Sequence, residues 1–332
     1  MRINLKTSDI ELLAQSIRSG DRKAIANGIT LVESTKEEDQ ALAEQLLNKL
    51  KTSTNDSIRI GISGPPGVGK STFIEAIGHP VLDTGERLAI LAIDPSSSIS
   101  GGSILGDKTR MESLSRSENT FIRPSPSGGN LGGVNRSTRE SISILEAAGY
   151  SVILIETVGV GQAETEVFEM TDIFLVLLSP GGGDELQGIK RGITELADIL
   201  VVNKSDGNLL ATSKSTVLDY KNALKLLKPR IKEWTIPILS CSALQKEGIN
   251  EVWHQILELK NHLMNTGQLK ENRQKQNEIW LKNKKKNLIL AAIESDETLI
   301  DKLSQIKKTQ WQEMQETSFL SDVIKKIKEK IK

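Results

Sequence analysis

Eight consecutive residues, Gly64-Pro65-Pro66-Gly67-Val68-Gly69-Lys70-Ser71, fit the pattern G-x-x-x-x-G-K-[ST], and Thr72 begins the helical stretch TFIEAIG behind them. Each fixed position has a chemical task. Glycines let backbone amides turn inward around a β-phosphate, and the start of the following helix adds partial positive charge. The Lys70 ammonium reaches β- and γ-phosphate oxygens, and the Ser71 hydroxyl ligates Mg²⁺. The strand-like RIGIS before the motif and the helix after it are the setting that a phosphate loop requires.

A second metal-side group belongs at the carboxyl end of another parallel strand, where open α/β sheets gather their ligands. Two runs offer one: LAILAID ends in Asp94, and SVILIETVG carries Glu156 with Gly159 three residues on. Either carboxylate can hold Mg²⁺ directly or through water, and the Gly159 amide can meet a γ-phosphate. Asp107, in SGGSILGDKTRM, is a further metal candidate. A strand-end cap or a turn aspartate is the alternative reading of these acids. In most GTPases the E-T-V-G position is aspartate, so Glu156 departs from the common pattern.

The base end is a separate signal. ADILVV runs into Asn203-Lys204-Ser205-Asp206, the N-K-x-D pattern that selects guanine. Asp206 can accept hydrogen bonds from N1–H and the 2-amino group; adenine has neither donor, and a carboxylate left unpaired there disfavours it strongly. Lys204 lies along the base plane, and Asn203 tethers the loop. Downstream, ILSCSALQKEGI presents Ser242-Ala243-Leu244 at a strand end, where the Ala243 amide can donate to guanine O6. For hydrolysis the candidates are Lys70, Glu156 and Gln162; no glutamine directly follows Gly159, and Gln162 in GVGQAETE is the nearest. Slow unassisted turnover is expected. Arg110 is either a charge donor or a structural ion pair.

These residues need elements to hold them. Three helices are predicted over roughly 8–19, 21–34 and 38–51, with Ser8, Asp21 and Ser34 or Thr35 as caps. Short apolar runs at 58–62, 88–93, 152–155, 173–178, 199–202 and 236–239 then alternate with helices. That order predicts an α/β fold, a P-loop NTPase whose mostly parallel sheet is covered by helices on both faces. The expected organisation is an N-terminal helical extension over 1–55, the nucleotide domain over 56–264, and a C-terminal helical arm over 265–332 that makes a dimer. The loops 96–111 and 179–192 are long and glycine-rich, which suits switching elements. No mechanism attaches to FIRPSPSGGNLGGVNRSTRE.

Composition narrows the partners. Lysine plus arginine and aspartate plus glutamate number 43 each, so there is no general attraction to nucleic acid or to an anionic membrane, and neither is an expected partner. One cysteine and three scattered histidines offer neither a disulfide nor metal-ligand spacing, which argues against a metal-delivering GTPase and fits the cytoplasm. No apolar run reaches the roughly 18 residues that span a bilayer.

The blocks GPPGVGKST, AIDPSSSISGGSILGDKTRM, FIRPSPSGGNLGGV, ILIETVGVGQAE, LSPGGGDELQGIK and NKSDG, in this order, closely resemble the MeaB/ArgK family of G-proteins, relatives of the human methylmalonic aciduria type A protein. The resemblance is strong over 58–256 and covers the helical ends in outline. It implies a homodimeric GTPase that attends an adenosylcobalamin-dependent acyl-CoA mutase, typically methylmalonyl-CoA mutase, gating cofactor loading and protecting the enzyme. It also implies switch regions at 94–107, 156–162 and 181–190, and Mg²⁺ ligation by Ser71, Asp94, Asp107 and Glu156. Within this family Glu156 is not unusual. An ATP-using kinase or ATPase of lysine, arginine and ornithine transport, a label also attached to the family, is the competing expectation, and Asp206 argues against it.

Overall fold

The computed structural model describes residues 9–51, 57–94, 111–126, 133–157, 163–181, 191–225 and 230–294. The chain divides into two compact units, Met1–Asn272 and Arg273–Lys332.

Three helices come first: α1 (Asp9–Arg18), α2 (Arg22–Glu33) and α3 (Glu37–Leu50). Asp21 caps α2 by accepting from the Ala24 N–H at 2.6 Å. The cap expected for α3 at Ser34 or Thr35 is displaced. Lys36 stands before that helix without a side-chain cap bond, and Ser34 terminates α2 while its hydroxyl donates to Asp39 at 2.6 Å. Glu37, Glu38 and Asp39 fill the first turn of α3, where carboxylates complement the helix dipole. Ser8 lies outside the described residues.

The sheet follows as β1 (Ile58–Ser63), α4 (Lys70–Asp83), β2 (Leu88–Asp94), α5 (Glu112–Arg116), β3 (Thr120–Pro126), α6 (Gly133–Ala147) and β4 (Val152–Glu156). It continues with α7 (Ala163–Phe168), β5 (Ile173–Leu178), α8 (Arg191–Leu196), β6 (Ile199–Val202), α9 (Leu210–Leu224), β7 (Ile238–Ser240) and α10 (Ile249–Asn265). A long helix, α11, runs from Gln268 to Glu294. Among the described residues the seven strands stand in the order β3-β2-β4-β1-β5-β6-β7, every pairing parallel. β3 is missing from the expected strands because Pro124 and Pro126 argue against a central position. As the edge strand it pairs with β2 alone, and an edge accommodates residues that cannot donate to a ladder.

Period-two alternation explains how one sheet serves two cores. Ile60, Ile62, Leu154, Leu175 and Val201 join one cluster with Phe73 and Ile74 of α4 and Val252 and Trp253 of α10. Ile153, Ile155, Phe174, Val176 and Leu200 join the other, with Ile25 and Ile29 of α2, Leu46 of α3 and Leu145 of α6. The N-terminal helices therefore close one face of the sheet. Burial of each such aliphatic side chain contributes roughly 1.5–3 kcal/mol.

At the amino edge, Arg59 reaches Glu146 of α6 at 2.8 Å, the Ser57 hydroxyl donates to the same carboxylate at 2.6 Å, and the Arg59 N–H donates to Asp172 at 2.9 Å. These bonds fix β1 along its axis, and so fix the loop that leaves its other end. No helix among the described residues is long and apolar enough to cross a membrane.

Candidate functional site

Where β1 ends, the chain turns sharply. Gly64 has φ +149°, and a Cβ there would lie 2.5 Å from the backbone oxygen of Leu177 on the neighbouring β5, so only glycine lets the loop start here. The loop closes at Gly69, and α4 begins at Lys70. Pro66 and Gly67 are exposed, Val68 is buried in the α4-side core, and Thr72 is exposed in the first turn of α4. The Lys70 ammonium curls back inside the loop and donates to the Gly64 carbonyl at 2.8 Å and to the Pro65 carbonyl at 3.2 Å. Burial lowers the Lys70 pKa, and the charges of Glu156 and Glu164 oppose that shift.

The end of β4 brings Glu156 to the first turn of α4. The Ser71 hydroxyl donates to Glu156 Oε1 at 3.0 Å, so two candidate metal ligands separated by 85 residues are in contact. Thr157 follows β4 and is tied to β1 by its N–H on the Ile62 carbonyl at 3.0 Å and by its hydroxyl on Ser63 at 3.1 Å. Asp94 is the last residue of β2, a strand that pairs directly with β4; its side chain is not described. Asp107, Arg110, Gly159 and Gln162 lie outside the described residues, as do most of the expected switch loops. Among the described residues no group of three or more histidine, cysteine or acidic side chains gathers as a metal cage. A hydroxyl and a carboxylate in contact are nevertheless the hard oxygen donors that suit Mg²⁺, which keeps several waters and takes only one or two protein ligands.

The base end is assembled at the carboxyl ends of β6 and β7. Asp206 is half-buried and accepts from the Ser242 hydroxyl, which in turn accepts from the Gln245 N–H at 3.1 Å. Lys204 adopts φ 58°, left-handed for a residue with a side chain, and its ammonium crosses to the Gly67 carbonyl at 2.6 Å. Such strain persists only where neighbouring contacts hold it. Leu244 is 74% exposed beside this group. The Ala243 N–H, expected to face guanine O6, is engaged with Asn203, so a base oxygen at that edge would share it.

Asn203 joins the two ends. Its Nδ2 donates to the Val68 carbonyl in the phosphate loop at 2.9 Å, and its Oδ1 accepts from the Ala243 N–H at 3.0 Å. Lys70 and Asp206 therefore stand on one rim of the sheet, connected through the buried Asn203 amide and, at the surface, through Lys204. Asn203→Ala leaves a buried carbonyl and a buried N–H unpaired. We expect it to cost about 2–4 kcal/mol, read by urea unfolding, and to weaken nucleotide binding; an unchanged unfolding midpoint would remove Asn203 from this role.

Cys241, at the end of β7 beside Asn203, is 1% exposed, and burial pushes its thiol up to about 12. The native protein is expected to resist maleimide at pH 8 and to label only on unfolding, a comparison that mass spectrometry makes directly. Rapid labelling of the native chain would mean that this strand end opens.

Two features escape the sequence. The paired use of the Asn203 amide depends on which loops the sheet makes neighbours, and nothing local signals it. Glu164, 1% exposed and part of the charge environment of Lys70, is masked by its setting in the acidic stretch AETE.

The family model described as methylmalonyl-CoA mutase-associated GTPase MeaB matches residues 25–298. A putative GTPase of Caulobacter vibrioides is 52% identical over 82% of this chain and 83% of its own. The mitochondrial methylmalonic aciduria type A homolog of Mus musculus is 47% identical over 82% of this chain and 68% of its own. Among solved structures, one described as a LAO/AO transport system kinase is similar with a TM-score of 0.77 and 34% identity, covering 99% of both chains.

Proposed function

The chain belongs to the MeaB family of P-loop GTPases, and from that premise we propose that it is the GTP-driven chaperone of an adenosylcobalamin-dependent acyl-CoA mutase of the methylmalonyl-CoA mutase type. In this reading it gates loading of the mutase cofactor and protects the enzyme, acts as a homodimer through its C-terminal arm, and works in the cytoplasm. The description of the matching family and the name of the mouse relative support the choice of client.

The nucleotide site of this proposal runs from Gly64 to Leu244. Gly64, Pro65, Pro66, Gly67, Val68 and Gly69 wrap the phosphates; Lys70 neutralises β- and γ-oxygens; and Thr72 lies at the loop's exit. Ser71 and Glu156, with Asp94 and Asp107, would hold Mg²⁺, which when bound neutralises charge on the phosphates. Gly159 and Gln162 serve the γ-phosphate side. Asn203, Lys204, Asp206, Ser242, Ala243 and Leu244 hold guanine. The observation that carries this reading is the Asn203 side chain, whose bonds to Val68 and Ala243 keep the phosphate loop and the base loops in one site.

Loose phosphoryl transfer asks the protein to position water and to absorb charge. Lys70 would take the second task, which suits slow basal turnover that a partner accelerates. The test mixes the purified chain with the mutase of the same cell, in GDP and in a non-hydrolysable GTP analogue, and follows complex formation by analytical ultracentrifugation. A complex whose stability changes with nucleotide is expected; none in either state would overturn the chaperone reading. ATP outcompeting GTP would favour a transport kinase, which is how the similar solved structure is described.

A further inference from the structure

Glu164 has no task in the site as described so far, yet it occupies an unfavourable place. It lies in the first turn of α7 and is 1% exposed, and neither of its carboxylate oxygens has a hydrogen-bond partner among the described residues. Withdrawing a carboxylate from water without hydrogen bonds costs several times what an ordinary lost bond costs, so a compensating charge must lie close by.

The fold supplies that neighbour. α7 packs on β1 through Val167, whose Cγ1 would lie 3.1 Å from a Cβ at Gly61; the absent side chain at 61 lets the helix approach this closely. α7 follows β4 and precedes β5, both parallel to β1, so it runs back against the strand direction. Glu164, one turn before Val167, is therefore displaced toward the carboxyl end of β1, where Gly64 opens the phosphate loop. Lys70, whose ammonium is bound to the Gly64 carbonyl, feels the charges of Glu156 and Glu164 together. One buried cation thus faces two buried carboxylates, and only Glu156 is tied to the metal-side hydroxyl of Ser71.

We propose that Glu164 is a positioning residue that makes nucleotide retention conditional on Mg²⁺: its fixed negative charge at the phosphate loop opposes bare phosphates and favours the metal-neutralised nucleotide. Before nucleotide arrives, the same charge holds the Lys70 ammonium inside the loop. A nucleotide without metal must take Lys70 from Glu164 and accept a carboxylate nearby. With the divalent cation, Glu164 adds to the negative field that the cation enters. The inference rests on the nucleotide-site reading above.

The test is equilibrium binding of a fluorescent GDP with Mg²⁺ and with EDTA, using the full-length chain. In wild type, Mg²⁺ is expected to tighten binding. In Glu164→Gln, binding in EDTA is expected to strengthen and the ratio of the two dissociation constants to fall about tenfold or more, since one unit charge about 10 Å away at an effective dielectric of about 20 already acts on that scale. Glu164→Asp keeps the charge and should preserve the ratio. Because Lys70 keeps the charge of Glu156 and its bonds to the Gly64 and Pro65 carbonyls, Glu164→Gln is also expected to melt close to wild type.

A ratio unchanged in Glu164→Gln, or a variant that melts far below wild type or fails to fold, would make Glu164 an ordinary structural group and overturn the proposal. Failure of wild type to bind GDP under either condition would instead remove the nucleotide-site reading on which it rests.

Discussion

Lys70→Ala is expected to reduce GTP hydrolysis by about a thousandfold or more, the scale on which a preorganised charge at a transferring phosphoryl group acts. The ammonium is already inside the loop, donating to the carbonyls of Gly64 and Pro65, so it needs little rearrangement to meet phosphate. Gly64 is buried and Pro65 half-buried, so removing the side chain also takes a donor from a buried carbonyl and is expected to cost some stability. Phosphate release under single-turnover conditions, with circular dichroism as the control for folding, separates the two effects. Lys70→Arg is expected to fail nearly as badly, since a planar guanidinium does not fit a loop closed around a point charge.

The pH dependence has a definite sign. Burial holds the Lys70 pKa below the usual lysine value, against the opposing charges of Glu156 and Glu164. The ammonium is therefore lost earlier as pH rises than an exposed lysine would be, and nucleotide affinity should weaken on the alkaline side before the ordinary lysine range. Affinity that stayed flat up to that range would mean that phosphate contact does not depend on the Lys70 charge.

Asp206→Asn is expected to weaken GTP binding by about a hundredfold to a thousandfold and to create affinity for xanthosine triphosphate. Guanine presents N1–H and a 2-amino group to the carboxylate; an amide in its place sets donor against donor. Xanthine carries an oxygen at position 2, which the Asn side chain can satisfy. The Ser242 hydroxyl already donates to one Asp206 oxygen, which aligns the side chain and leaves acceptor capacity for a base. Ser242→Ala should loosen that alignment and weaken GTP binding by a smaller factor, without the switch to xanthine. Competition between the two triphosphates for a fluorescent nucleotide measures both variants. Retained preference for GTP in Asp206→Asn would remove Asp206 from base recognition.

The parts of the fold legible in the sequence were those whose signal is local. Six of the seven described strands appear as apolar runs, since a strand covered on both faces needs apolar residues at every position, as in IFLVLL of β5. β3 was not legible because TFIRPSP reads as loop, and only its edge position makes its prolines acceptable. The α3 cap was misplaced for a similar reason. Ser34 is a good cap residue, but its hydroxyl is drawn to Asp39 while it ends the preceding helix.

The candidate site divides in the same way. Gly64 to Ser71 and Asn203 to Asp206 announce themselves, because contacts with phosphate and with a purine edge require particular residue types at adjacent positions. Their meeting is a tertiary fact. β1 and β6 are separated in the sheet by β5, and the Asn203 amide reaches from one loop to the other only because parallel strands deliver all their carboxyl ends to one rim. The contact of Ser71 with Glu156 and the burial of Glu164 beside the Lys70 charge arise likewise from strand order and helix packing. Residue type and spacing determined which chemistry this chain is equipped for. The three-dimensional packing decided which charges share a buried space, because electrostatic coupling depends on distance and desolvation and not on separation along the chain.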